Sequence, residues 1–73
     1  MGIVEELMTH YVDKTDGSSI EKKESSIAFD FTYADNQFAH IIARELSKHI
    51  DILISNGYPI QKVFGQNYLE VKP

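Results

Sequence analysis

Apolar side chains recur at every fourth position from Phe38 through Ile42 and Leu46 to Ile50, then Leu53, with Ile41 and Ile54 widening the stripe. A helix with one such stripe buries one side only, so something flat must lie against it. Asp35 suits its N-cap, and Asn56-Gly57 with Pro59 just beyond suits its end. His40, Arg44, Lys48 and Asp51 fall on its other faces. The chain has only 73 residues, so the cover must come from a few short elements of one small domain.

Those elements are legible. Ile3, Val4, Leu7, Met8, Tyr11 and Val12 make a second apolar stripe at helical spacing over residues 3–12. Glu5 and Glu6 sit in its first turns, where the helix dipole favours negative charge. Thr15-Asp16-Gly17-Ser18 is a cluster of turn residues that should end this helix near Asp13. Ile27, Phe29 and Phe31 alternate with Ala28, Asp30 and Thr32, the period of a strand. A weaker strand around Ile20 precedes it, with Lys23-Glu24-Ser25 as the turn between. Residues 60–64 and 68–72 flank Gly65-Gln66-Asn67, a hairpin signal. The order α-β-β-α-β-β, with hairpin-linked strands, predicts an α+β two-layer sandwich. It is a four-stranded, mostly antiparallel sheet with two helices on one face.

Composition removes several function classes. There is no cysteine, so disulfides, thiolate zinc sites and thiol catalysis are out of reach. The net charge is −4, and the seven Lys and Arg residues are scattered, which argues against a nucleic-acid partner. No apolar run reaches the roughly 20 residues that span a bilayer, so no membrane partner is expected. The start, MGIVEELMTHY, is acidic and has no basic n-region, and Glu6 stands where a myristoylation signal has Ser or Thr. A cytoplasmic location is the expectation.

Thr15-Asp16-Gly17-Ser18 also invites a catalytic reading. Aspartate-based phosphatases use D-x-D-G-T/S, the first carboxylate as nucleophile and the second as general acid/base. Here Lys14 occupies the nucleophile position, and the segment before it is helical in pattern rather than an apolar strand. TDGS is therefore read as a turn. His10, His40 and His49 show no metal-ligand spacing. No G-x-S-x-G elbow or glycine-rich phosphate loop is present. No catalytic or metal-ligating residue is assigned.

A sheet covered on one side leaves its other side open. If Ile20, Phe29 and Leu69 face the helices, then Glu21, Lys23, Ala28, Asp30, Thr32, Tyr68, Glu70 and Lys72 face away. Two readings stand side by side: a solvated surface, as charged residues usually are, or a polar platform for a polyhydroxy ligand.

TDGSSIEKKESSIAF, then YAD at Tyr33–Asp35, ARE-L at Ala43–Leu46 and GQNYLEVKP at the end resemble trehalose-6-phosphate phosphatases and the phosphatase-like half of trehalose-phosphate synthase proteins. The match covers nearly the whole chain, in order, and falls on the cap of these haloacid-dehalogenase-type phosphatases. The resemblance implies one cap-like domain over residues 1–73, excised from a larger phosphatase. Its partner would be a core domain holding Mg2+ and the nucleophilic aspartate, and its substrate trehalose 6-phosphate. It implies sugar contacts at Glu21, Lys23, Gln66 and Glu70. The alternative is a regulatory or assembly role in a catalytically silent trehalose-phosphate synthase homologue. Asp30-Phe31-Thr32 departs from the His-Tyr-Arg of some relatives, and Asn36 and Ala39 replace a proline and a glycine.

Overall fold

The computed structural model describes residues 2–73. In chain order these form α1 (Gly2–Val12), β1 (Ser19–Lys22), β2 (Ile27–Asp30), α2 (Asn36–Ser55), β3 (Gln61–Phe64) and β4 (Tyr68–Lys72). The architecture is the α+β sandwich expected from the pattern. All three strand pairings are antiparallel, and the sheet order is β1-β2-β4-β3. The last strand thus inserts between β2 and β3. Both of these run antiparallel to β4 and so parallel to each other, and α2 makes the crossover between them.

Both helices pack on one face of the sheet. Val4, Met8 and Tyr11 from α1 and Ile42, Leu46 and Ile50 from α2 close over Ile27, Phe29, Leu69 and Val71. Phe31 lies just beyond β2, yet it is buried, and its N–H donates to the Asn67 carbonyl at 2.9 Å, which carries the β2–β4 pairing one step further. At the two sheet edges, the helix-facing positions Lys22 and Lys62 keep their ammonium groups at the rim. Lys22 reaches Glu5 of α1 at 3.3 Å, and Lys62 reaches Asp51 of α2 at 2.8 Å and the Ser47 hydroxyl.

The face that α2 buries is rotated from the expected stripe. Ala39, Ile42, Ala43, Leu46, Ser47 and Ile50 are buried, whereas Phe38, Ile41 and Ile54 are 47%, 58% and 37% exposed. The reason is steric. The small residues Ala39, Ala43 and Ser47 let the helix backbone approach the sheet, and the bulkier Phe38 and Ile41 are left outside. The caps are as expected: the Asp35 carboxylate accepts from the Phe38 N–H at 3.0 Å, and Gly57 follows Asn56 with φ +93°.

Thr15-Asp16-Gly17-Ser18 is a structural turn. The Thr15 hydroxyl, buried, donates to the Tyr11 carbonyl at 2.9 Å, and Ser18 Oγ donates to the Thr15 carbonyl at 2.6 Å. Gly17 has φ +86°, and a β-carbon there would stand 2.4 Å from the Tyr33 carbonyl oxygen. Gly17→Ala therefore combines left-handed strain with a backbone clash. It is expected to lose at least about 1–3 kcal/mol in urea unfolding. An unchanged midpoint would show that the turn relaxes freely.

Candidate functional site

The site is built on the sheet face that carries no helix. Register sets it out. Glu21 pairs with Ala28, and Ala28 with Glu70, so these three form one row across β1, β2 and β4. Asp30 pairs with Tyr68 in the next row of the same face. Ala28 is only 3% exposed, because the longer side chains on either side cover it. A methyl group between two glutamates makes a floor with walls. The result is a depression of about 250 Å³ lined by Glu21, Lys23, Ala28, Asp30, Tyr68 and Glu70.

Lys23 reaches this face from outside β1. The strand ends at Lys22, and the Lys23 N–H donates to the Ser26 carbonyl at 2.9 Å to close the β1–β2 turn. From there Lys23 Nζ donates to Glu70 Oε2 at 3.3 Å. The same oxygen accepts from Ser26 Oγ at 2.8 Å. Glu70 is thus held from two sides, and its side chain is 18% exposed while that of Lys23 is 53% exposed. The Ser26 hydroxyl, and after it Lys23, hold the Glu70 carboxyl below the usual carboxylate range. The hydrogen bond to Glu70 and that carboxylate's charge raise the Lys23 ammonium above its ordinary value.

The pH consequence follows from these directions. The lowered Glu70 pKa stabilises the fold above the ordinary glutamate value, and the effect is lost as pH falls through the lowered one. The raised Lys23 pKa stabilises below the ordinary lysine value, and the effect is lost as pH rises through the raised one. The cluster is intact across the neutral range between. Ser26→Ala removes the first cause of the Glu70 shift, so the Glu70 side-chain carbon should titrate at higher pH in the variant when followed by 13C NMR. An unchanged titration would assign the shift to Lys23 alone.

Three of the four residues implied as sugar contacts, Glu21, Lys23 and Glu70, come together in this depression. Gln66 is set apart. It is exposed in the turn between β3 and β4 and does not line the depression. Thr32, expected on the same face, lies past the end of β2, with its N–H donating to Asp30 Oδ1 at 2.8 Å. Alternation already sets Ala28 and Tyr68 on this face, and register adds their neighbours: Ala28 between Glu21 and Glu70, and Tyr68 opposite Asp30. A larger depression of about 340 Å³ lies where the start of α1 meets the β1–β2 turn. It shares Lys23 with the open face, and Lys22 there is paired with Glu5; the open face alone gathers Glu21, Asp30, Tyr68 and Glu70 around that lysine.

Elsewhere, Tyr11 Oη and His49 Nδ1 are hydrogen-bonded between α1 and α2, and burial raises the Tyr11 pKa, with the Glu45 charge adding to it. His40 Nδ1 bonds the Asn36 carbonyl at 2.8 Å. Among the described residues no three His, Asp or Glu side chains converge as a metal site would require. No helix is long and apolar enough to cross a membrane among the described residues.

Comparison with known proteins joins this geometry to a family. Residues 1–73 match the trehalose-phosphatase family along their whole length. The chain is 41% identical over 71 residues to alpha,alpha-trehalose-phosphate synthase 6 (UDP-forming) of Arabidopsis thaliana, covering 97% of this chain and 8% of that protein. The fold superposes on the C-terminal domain of the C. albicans trehalose-6-phosphate phosphatase with a TM-score of 0.92 at 25% identity, covering 99% of this chain and 25% of that one. It superposes equally on the Aspergillus fumigatus trehalose-6-phosphate phosphatase, with a TM-score of 0.92 at 28% identity, over 99% of this chain and 26% of that one. The chain therefore spans about a quarter of these solved structures and less than a tenth of the curated relative.

Proposed function

The chain belongs to the trehalose-phosphatase family, and from that premise we propose that it is the sugar-reading cap of a trehalose-6-phosphate phosphatase. The observation that carries the reading is the depression on the helix-free sheet face, where Glu21, Glu70 and Lys23 converge over Ala28. Carboxylates accept hydrogen bonds from sugar hydroxyls, and an ammonium donates to them. A disaccharide lying on this face would exchange one shell of hydroxyl partners for another. Gln66, on the β3–β4 turn, is a further candidate contact from the side.

The chemistry belongs to a separate core domain, which is the partner in this proposal. The cap's own donors do not fit Mg2+, since no three carboxylate or imidazole groups converge among the described residues. The ion would sit with the nucleophilic aspartate on the core. Closure of cap on core would exclude water and strengthen the polar contacts at Glu21, Lys23 and Glu70. A cytoplasmic setting goes with this role. The runner-up is a regulatory or assembly role in a catalytically silent parent. The synthase name of the Arabidopsis relative favours it, and an intact D-x-D motif in the parent's core would oppose it.

Titrating the 15N-labelled chain with trehalose 6-phosphate tests the proposal. Shifts should concentrate on Glu21, Lys23, Asp30, Tyr68 and Glu70, with a Kd weaker than ~100 µM, because only one wall of the closed site is present. Shifts confined to the helices, or none, would overturn the reading. With Mg2+ added, the chain should release no phosphate.

A further inference from the structure

We propose that Tyr68 supplies an aromatic wall to this depression, one that packs against the apolar C–H face of a pyranose ring. The inference rests on the sugar-reading role and adds a specificity-determining residue to it. Four observations support it. Tyr68 lines the depression beside Asp30 and Glu70. It is 40% exposed, so ring surface remains to be covered. Its ring also lies against Gly65: the Gly65 N–H donates to the Tyr68 carbonyl at 2.9 Å, which sets the main chain, and a β-carbon at Gly65 would stand 2.3 Å from Cε2 and Cζ of the Tyr68 ring. The ring thus occupies the space that any side chain at position 65 would need. Finally, Gly65 does not have the positive φ that demands glycine. Room for the Tyr68 ring is therefore what the glycine provides there, and the pairing resembles aromatic cover of a strand glycine.

The chemistry suits a sugar. The hydroxyls of a pyranose radiate around its edge, and one or both of its faces present C–H groups. The carboxylates and ammonium of the depression serve the hydroxyls, while the electron-rich face of an aromatic ring attracts C–H groups. A ring already held against Gly65 loses little rotamer freedom when it is covered. Without Tyr68 the depression would bind polar groups and leave the sugar's apolar face in water.

The test titrates the labelled chain with trehalose, and with glycerol as a polyol that has no ring, to the solubility limit. In the unaltered chain trehalose should shift the Tyr68 ring protons along with the Glu21, Lys23 and Glu70 amides, and saturation of the Tyr68 ring should pass to trehalose C–H protons. Glycerol should leave the ring protons in place. Tyr68→Phe should keep the saturation transfer, and Tyr68→Leu should weaken binding about three- to tenfold. Gly65→Ala should also weaken it by displacing the ring, with the fold checked by amide spectra. Shifts at Glu21, Lys23 and Glu70 that Tyr68→Leu leaves at full affinity would overturn the aromatic wall and spare the sugar site. No trehalose shift on the open face of the unaltered chain would overturn both.

Discussion

Phe29→Ala is expected to depopulate the native state almost completely. Phe29 is 0% exposed at the centre of β2, opposite Ile20 on one side and Leu69 on the other. Its ring also meets Phe31, with centroids 5.7 Å apart. Removing such a ring costs about 3–5 kcal/mol through lost burial and the cavity left behind. A single core in a chain of 73 residues rarely supplies more than about 3–5 kcal/mol of stability in total. The substitution therefore takes most or all of it, and far-UV circular dichroism against urea should show a midpoint near zero denaturant. A loss under about 1 kcal/mol would mean that α1 and α2 collapse into the gap. Function would fall with the fold, because Ala28 and Asp30 flank Phe29 and carry the floor and one end of the open-face depression.

The same alternation that buries Phe29 made half of the site readable. A strand places successive residues on opposite faces, so Ile20, Phe29 and Leu69 on the helix side oblige Glu21, Ala28 and Glu70 to share the other. Lys23 was placed on this face by the same alternation, yet β1 ends at Lys22, and the residue reaches the face from the turn, its side chain returning to Glu70. The strand order was not legible. Hairpin signals tie β1 to β2 and β3 to β4, but no local pattern says which hairpin strands meet, and it is the β2–β4 pairing that puts Glu70 beside Ala28. The rotation of α2 was hidden because apolar size misleads where close approach decides: Ala39, Ala43 and Ser47 face the sheet, and Phe38 and Ile41 do not. Tyr68 was legible on the open face, but its packing over Gly65 was hidden, since no local pattern shows which space a turn glycine leaves for a neighbouring ring.

The second large effect is on recognition. If the chain is the sugar-reading cap proposed above, Glu70→Gln in a phosphatase that carries it should lower kcat/KM for trehalose 6-phosphate roughly ten- to a hundredfold. The amide keeps the shape and one acceptor, but it gives up the charge that Lys23 and Ser26 are arranged around. In a closed, dry site a hydroxyl is held more strongly by a carboxylate than by an amide. The fold should lose only a little: the amide oxygen can still accept from Ser26, and what is given up is the ion pair to a half-exposed lysine, so Tm should fall by no more than about 2–4 °C. Hydrolysis of a small generic phosphate ester should be spared, because such a substrate has no sugar for the cap to read. The three measurements separate the possibilities on one variant. Equal losses on both substrates would make Glu70 a residue of cap closure. A large fall in Tm would make it a residue of the fold, acting through the β1–β2 turn that Ser26 and Lys23 form. No loss on either substrate would return Glu21, Lys23 and Glu70 to the reading open at the outset, a solvated sheet face. Loss on trehalose 6-phosphate alone requires that the carboxylate meet the sugar.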